Sequence, residues 1–214
     1  MSSAAAPLQP EDALTAPARQ TLIVLGRELA ALGMLPATSG NLSLRIAPGR
    51  ALMTCSGCDK GLLGMDDFLL GEIAAAPPAG ASAEAPLHLA LYRQFADAAC
   101  VLHVHSRASA VLSRLALAAA QSELRLQGWE LQKAIAGQVS HEAVLALPVF
   151  ANDQDTARLA DAVAARLAGA VQPYAYLLAG HGLYAWGRDA AEARRHVVAL
   201  DVLLQSELDL RNAA

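Results

Sequence analysis

The stretch "ACVLHVHSRAS", residues 99–109, places His103 and His105 one residue apart in an apolar run. A short apolar run of this kind predicts a buried β-strand. Because successive side chains of a strand point to opposite faces, the two imidazoles project to one side and Val104 projects to the other. Two neutral imidazoles have no strong attraction for each other, whereas a divalent metal accepts a nitrogen from each at about 2.0 Å. The pair by itself fits a hydrogen-bonded structural pair as well as it fits a metal site.

A third histidine, His181, favours the metal site. It lies in "YLLAGHGLYAWG", where two apolar strands flank Gly180 and Gly182, and these glycines allow a sharp turn and a close approach of a ligand. Three histidines from two strands match open zinc sites, in which the protein supplies three ligands and water or substrate takes the remaining position. The remaining histidines are predicted to lie in the core (His88) or in solvent (His141 and His196).

Helix and strand patterns alternate on both sides of the histidine strand. Upstream, a helix is predicted from Thr15 to Gly33, followed by a hairpin of "NLSLRI" and "ALMTC", a third strand "DFLLGEI" and a helix "APLHLALYRQFA". Downstream come a helix "ASAVLSRLALAA", a short helix "WELQKAIAG", a strand "AVLALPVF", a helix "TARLADAVAARLA", the two strands around His181 and a closing helix. This order predicts an α/β or α+β domain over residues 17–211, with residues 1–16 loosely ordered.

The composition excludes several classes of protein. A chain of 214 residues fits one domain, and no apolar segment approaches the roughly 18 to 20 residues that span a bilayer. Sixteen basic and twenty acidic residues give a net charge of −4 with no basic run, which argues against a nucleic-acid partner. The first residues lack a signal-peptide pattern, and three cysteines suit a reducing compartment, so we expect the cytoplasm. Cys55 and Cys58 form C-x-x-C without a second pair, and we expect two unmodified thiols.

Five motifs together resemble the class II aldolase/adducin family of zinc sugar-phosphate enzymes. They cover the chain from about Thr21 to about Leu208, and they are "TSGNLSLRI", "TCSG", "SAEAPLHLALYRQF", "VLHVHS" and "GHGLYAWG". The resemblance implies a three-layer α/β/α sandwich with a mainly antiparallel central sheet, a homotetramer with active sites near subunit interfaces, and a small sugar phosphate as substrate. It also implies one Zn²⁺ per subunit, held by His103, His105 and His181.

The same resemblance implies a phosphate-binding region. The family pattern matches phosphate-binding turns to Asn41, Ser56 and Gly57, with Ser82 as a further contact. Backbone N–H groups and small hydroxyls in glycine-containing turns form anion-binding nests, so these positions suit a phosphate group.

Two glutamates compete for the proton-transfer role. "LQGWELQKAI" and "LPVFANDQDTARLA" are similar to a dehydratase branch of the family rather than to its aldolases, and Glu130 matches the catalytic glutamate of that branch. Glu84 matches the acid/base glutamate of the aldolases. We therefore expect Glu130 to be the acid/base, Glu84 an auxiliary group beside the metal, and Lys133 a partner of Glu130 or of the phosphate. Without the resemblance, Glu84 would be a helix N-terminal charge and Glu130 an exposed residue of a short helix.

Three other functions stay open at this point. An aldolase or epimerase acting on a related sugar phosphate would use the same zinc with Glu84 in the leading role. A non-catalytic adducin-like scaffold domain predicts loss of metal ligands, yet all three histidines are present. A structural zinc protein needs a closed fourth position, which Glu84 or Cys100 could supply.

Overall fold

The computed structural model describes residues 10–169 and 174–213. The helices are α1 (Pro10–Ala31), α2 (Ala85–Gln94), α3 (Arg107–Ala118), α4 (Thr156–Leu167) and α5 (Ala190–Ala213). The strands are β1 (Asn41–Ala47), β2 (Arg50–Thr54), β3 (Phe68–Glu72), β4 (Cys100–Val104), β5 (Glu123–Leu126), β6 (Leu145–Phe150), β7 (Ala175–Leu178) and β8 (Gly182–Gly187). Short 3-10 turns cover Pro36–Thr38 and Glu130–Ala134.

The eight strands form one mixed sheet in the order β3-β2-β1-β4-β8-β7-β6-β5. Strands β6 and β7 run parallel, and each other neighbouring pair is antiparallel. The histidine strand β4 lies inside the sheet between β1 and β8, and all five of its residues are buried. The apolar run around the two histidines therefore reflects a strand that is covered on both faces.

Helices cover both faces of the sheet, and the alternation of side chains along each strand separates two cores. Leu102 of β4 and Leu183 of β8 point into a core shared with α1, α3 and α5. Val101 and Tyr184, on the same two strands, point into a second core shared with α2 and α4. His103 lies on the second face, where its ring stacks on Tyr184 with the centroids 3.9 Å apart. The face of β4 that carries His103 is thus the face that α2 covers.

The structure corrects three local predictions. Helix α1 begins at Pro10 instead of Thr15, so residues 10–16 are helical rather than loosely ordered, because the fixed φ and missing N–H of proline suit the first helical position. The rest of the predicted loose segment, residues 1–9, lies outside the described residues. Strand β5 lies in a segment for which the sequence predicted no strand, because it is an edge strand of only four residues and its alternating pattern is too short to stand out. The predicted helix "WELQKAIAG" is a 3-10 turn.

Two of the three other histidines lie as predicted. His88 is buried in α2 with its Nδ1 2.7 Å from the Ser43 hydroxyl, and the side chain of His141 is half exposed. The prediction for His196 was wrong, because this residue of α5 is fully buried against β8. Its Nδ1 lies 2.7 Å from the Trp186 carbonyl oxygen, and its Nε2 accepts the N–H of Ala136.

Cys55 and Cys58 are unmodified thiols, as expected from the sequence. Cys55 and Cys58 are both free, and the Cys58 thiol donates to the Asp67 carboxylate at 3.3 Å. Burial and this carboxylate raise the pKa of Cys58 to about 11, so the thiol stays protonated at neutral pH. No helix in the described part of the chain is long and apolar enough to cross a membrane.

Candidate metal centre and active site

The three predicted histidines meet at one edge of the sheet. His103 is on β4, His105 follows the end of that strand, and His181 lies in the turn between β7 and β8. The three Nε2 atoms are 2.9 Å apart for His103 and His105, 3.3 Å for His103 and His181, and 3.1 Å for His105 and His181. The structure thus brings together residues that are up to 78 positions apart in the chain.

Hydrogen bonds on the far side of two rings fix which nitrogen faces the centre. Nδ1 of His103 lies 3.1 Å from the Leu183 carbonyl oxygen, and Nδ1 of His181 lies 3.1 Å from Oδ1 of Asn152. Because these oxygens can only accept, Nδ1 carries a proton in both rings, and Nε2 is the nitrogen that faces the centre. Burial and the neighbouring His103 and His181 lower the pKa of His105 to about 3, so this imidazole is neutral at pH 7.

Glu84 completes the cluster. Its Oε1 lies 2.8 Å from Nε2 of His181, and its Oε2 lies 3.5 Å from Nε2 of His103. Glu84 immediately precedes helix α2, but its side chain makes no capping hydrogen bond to the helix. Its carboxylate contacts the histidines instead. Burial alone would raise the pKa of Glu84, but its contacts with the Nε2 atoms of His103 and His181 hold this pKa well below its usual value, because positive charge on these rings stabilises the carboxylate. Cys100, the other candidate fourth ligand, points into the core on the opposite face.

This donor set fits a divalent metal ion. Lone pairs on neutral nitrogens and a carboxylate repel one another unless a cation lies between them, and the four ligand atoms are all within 4.8 Å of one another. Ligands about 2.0 to 2.1 Å from a tetrahedral zinc lie roughly 3.3 Å apart, which is close to the separations of the three nitrogens. Within the described part of the chain, this cluster is the group of side chains that could hold a metal ion.

A cavity of about 310 Å³ opens onto the cluster and onto the predicted phosphate turns. Ser56, Gly57 and Ser82 line it, and Gly57 has a φ of +76°, which glycine adopts without strain. Asn41 is buried beside it, where its amide donates to Ser82 Oγ at 3.2 Å and to the Glu84 carboxylate. Sequence reasoning missed seven further polar residues of the wall, namely Thr38, Ser39, Lys60, Asn152, Asp153, Gln154 and Thr156.

The missed residues carry partial sequence signals. Ser39 lies in the quoted "TSGN", and Lys60 comes three positions after Gly57 in "SGCDKG". Asn152 and Asp153 come two and three residues after the end of β6, at the sheet edge where the turn that carries His181 also lies. The sequence therefore shows that Asn152 and Asp153 follow a strand. It does not show that they come close to His181, because this depends on the parallel pairing of β6 with β7.

Glu130 and Lys133 lie away from this cavity. They form an ion pair with each other on the 3-10 turn Glu130–Ala134, and the Glu130 side chain is 70% exposed. The buried amide of Gln132 donates to the Ala143 carbonyl oxygen at 2.8 Å and anchors the turn. The Lys133 hydrogen bond lowers the pKa of Glu130, so the carboxylate is ionised at neutral pH. Within one chain the structure does not bring Glu130 into the cluster of His103, His105 and His181; the histidine that it contacts is His141, at 3.5 Å.

Gly182 lets β8 approach β4 directly beside the metal ligands. A methyl group here would overlap the Val104 carbonyl oxygen and would lie 3.1 Å from Cε1 of His103. We expect Gly182→Ala to lower the free energy of unfolding by about 1 to 3 kcal/mol and to weaken metal binding, because the strands must separate. Urea denaturation and metal titration measure both effects. Gly64→Ala is the control, since its methyl group would meet only Asp67 Oδ2 at 3.7 Å. Equal stability of the two variants would contradict the prediction.

Comparisons with known proteins agree with this site. A family model described as the Class II Aldolase and Adducin N-terminal domain matches residues 20–208. The chain is 49% identical over 198 residues to a methylthioribulose-1-phosphate dehydratase of Bradyrhizobium sp. (strain BTAi1), covering 90% of this chain and 91% of the relative. It is 45% identical over 213 residues to a protein of the same name from Xanthomonas oryzae pv. oryzae (strain PXO99A), covering 98% and 93%.

A solved structure shows the same fold. The L-fuculose-1-phosphate aldolase from Thermus thermophilus superposes with a TM-score of 0.74 at 30% sequence identity, covering 92% of this chain and 95% of the other. The class II aldolase-like fold expected from the motifs is therefore confirmed.

Proposed function

The chain belongs to the class II aldolase and adducin family, and we propose that it removes water from 5-methylthioribulose 1-phosphate. The product is 2,3-diketo-5-methylthiopentyl 1-phosphate, and the reaction is a hydro-lyase step of methionine salvage. The observation that carries this proposal is the identity of 45 to 49%, over at least nine tenths of each chain, to relatives named methylthioribulose-1-phosphate dehydratase. The cluster of three histidines and Glu84 supports it, because a scaffold domain has no need of convergent metal ligands.

We assign zinc to His103, His105 and His181, with Glu84 as an auxiliary ligand or as a partner of the ligand water. A bound zinc ion supplies Lewis-acid polarisation of the substrate carbonyl and so acidifies the neighbouring C–H bond. The cavity in front of the cluster leaves space for substrate at the metal, which favours a catalytic over a closed structural site.

Glu130 is the proposed acid/base of the reaction. The ketone at carbon 2 of the substrate acidifies the proton on carbon 3, and Glu130 removes this proton. It then gives a proton to the hydroxyl group that leaves carbon 4 as water, and the remaining enol rearranges to the 2,3-diketone. Its ionised state at neutral pH suits the first step. Asn41, Ser56, Gly57 and Ser82 hold the substrate around the cavity and its phosphate turns.

We further propose that Glu130 acts in the site of a neighbouring copy of the chain. The turn Glu130–Ala134 is anchored by Gln132, and its exposed Glu130 carboxylate does not line the cavity of its own chain. The nearby apolar side chains of Leu131 and Val139 are 40% and 86% exposed, which suits a surface that another chain covers. This supports the homotetramer, with active sites near subunit interfaces, in which Lys133 steadies Glu130.

The proposal also includes the layer architecture of the fold and the cellular location. The helices on both faces and the single parallel strand pair support a three-layer sandwich with a mainly antiparallel sheet. The free thiols support a reducing, cytoplasmic location.

A second candidate function is cleavage or epimerisation of a related sugar phosphate. The specific observation in its favour is the position of Glu84, which contacts two of the histidines while Glu130 lies outside the cavity. In that reaction Glu84 would carry the proton, and Glu130 would have no direct role.

Incubation of the zinc-loaded protein with 5-methylthioribulose 1-phosphate separates these functions by the mass of the product. We expect the loss of one water molecule, and we expect a chelator to abolish the reaction and added zinc to restore it, because polarisation of the carbonyl requires the metal. Release of dihydroxyacetone phosphate would assign the aldolase function instead. An unchanged mass with inverted stereochemistry would assign the epimerase function.

A further inference from the structure

Lys60 is a buried lysine in the wall of the cavity. The residue is only 3% exposed, and its ammonium group donates to the Thr38 carbonyl oxygen at 2.8 Å and to the Cys58 carbonyl oxygen at 2.7 Å. An ammonium group has three N–H donors, so one donor remains after these two bonds. No carboxylate of the described residues lies within ion-pair distance of it. Lysine is almost never this buried without a charged partner.

The carboxylates that share the cavity with Lys60 are already paired. Glu84 contacts His181 and His103, and Asp153 forms a bidentate pair with Arg158 at 2.8 Å on each arm. Lys60 is also the only lysine or arginine that lines the cavity in the described part of the chain. Lys60 therefore has no ion-pair partner among the described residues, although the carboxylates of Glu84 and Asp59 lie near enough to favour its charged form. Burial of a charge without a direct partner is unfavourable, and a bound anion would remove this cost.

The groups around Lys60 suit an anion. Ser39 follows the Thr38 carbonyl that Lys60 binds, and its hydroxyl oxygen is buried without a partner among the described residues. Ser56 and Gly57, which precede Cys58, line the same cavity. Hydroxyl groups, backbone amides of a glycine turn and an ammonium group are the donors that bind phosphate in proteins.

We propose that Lys60 binds the phosphate group of the substrate and holds the two turns that carry Thr38 and Cys58 in the arrangement that phosphate requires. This inference rests on the proposed function, because it takes a phosphorylated sugar as the ligand of the cavity. Lys60 then selects phosphorylated over unphosphorylated substrates, while the histidines act at the other functional groups.

Helix α1 fixes the position of Lys60. Gly26 of α1 lies directly under its backbone, and a methyl group at this position would overlap the Lys60 carbonyl oxygen. On the next residue, a methyl group at Gly61 would come within 2.9 Å of the Cβ of Ala30. Leu63 anchors the same turn in the core with 2% exposure. The turn therefore rests on a helix surface with no room for adjustment.

The test is the binding of inorganic phosphate to the zinc-loaded protein by isothermal titration calorimetry. We expect Lys60→Met, which keeps the length of the side chain and removes the charge, to raise the Kd for phosphate about 10- to 100-fold, the range for a hydrogen bond to a charged group. The zinc content should stay that of the original protein, and KM for the sugar phosphate should rise more than kcat falls. Lys60→Arg should retain part of the phosphate affinity. The matched control is Arg125→Met, which removes an exposed charge on β5 and should leave the Kd unchanged.

Gly26→Ala tests the same inference without altering Lys60. Alanine favours a helix over glycine, yet the overlap should displace Lys60 and weaken phosphate binding several-fold. This variant keeps the inference testable if Lys60→Met does not fold. A phosphate Kd that is unchanged in Lys60→Met while its Tm falls would show a purely structural lysine and overturn the inference, as would the absence of phosphate binding by the original protein at millimolar concentrations.

The phosphate-binding test and the dehydration assay give separate answers. Phosphate binding that depends on Lys60 in a protein that does not dehydrate 5-methylthioribulose 1-phosphate supports the role of Lys60 and contradicts the proposed function. Dehydration with a phosphate Kd that does not depend on Lys60 supports the proposed function and overturns the role of Lys60.

Discussion

His103→Ala should remove the bound metal and lower kcat/KM by about 10³-fold or more. His103 is fully buried at the centre of the cluster, and its Nε2 lies within 3.3 Å of both other histidine nitrogens. Loss of this ligand leaves two nitrogens and a carboxylate, and the Lewis-acid contribution of several kcal/mol is lost with the metal. Metal analysis after dialysis and steady-state kinetics measure the two effects.

Two further variants separate ligation from folding. His105→Ala removes a less buried ligand and should lose metal with a smaller change in Tm. His196→Ala removes a buried histidine outside the cluster, where it bonds Trp186 and Ala136. It should lower the Tm and still bind one metal ion per chain. A His103→Ala protein with full metal content would remove the basis of the proposed site.

Glu130→Gln should lower kcat by about 10² to 10⁴-fold, the contribution of a general acid/base, while metal content and Tm stay unchanged. The amide keeps the shape of the side chain but cannot accept the proton from carbon 3. Stability should not change, because the carboxylate is exposed and its ion pair with Lys133 is a surface pair. Glu123→Gln, an exposed glutamate on β5, is the matched control and should keep full kcat.

Mixed assemblies test whether Glu130 acts in a neighbouring site. Chains with Glu130→Gln and chains with His103→Ala are each inactive alone, but together they can form a site with intact histidines from one chain and Glu130 from the other. Co-expression with two affinity tags, followed by purification on both, should therefore restore part of the activity. Inactive mixed assemblies would contradict the shared site, and an unaltered kcat in Glu130→Gln would direct attention to Glu84.

The histidine cluster could be predicted because its signals are local. Two histidines at alternate positions of an apolar strand must share a face, and a histidine between two glycines marks a turn that approaches closely. The structure places His105 just beyond the end of β4, where it still projects to the same side as His103. The α/β class followed from the alternation of helix and strand patterns in the same local way.

Other features depend on contacts that sequence spacing does not contain. The polar neighbours of His196 suggested solvent, although buried residues recur along α5 at Glu192, His196 and Leu200, a helical period that could have indicated the core. The sequence did not indicate that Lys60 is buried, because lysine is usually exposed. Its burial results from the packing of α1 against the turn that carries it. The distance of Glu130 from the cavity follows from the path of the chain between β5 and β6.

The strand order has a consequence for how the chain folds during synthesis. Strand β4 pairs with β1 on one side, but its other neighbour is β8, and Leu183 follows His103 by 80 residues. Until that segment leaves the ribosome, one edge of the buried strand β4 has no partner. Open edges of this kind promote association between nascent chains, and pairings between distant segments slow folding. Chaperone dependence of the yield should therefore be set by the time needed to complete β8.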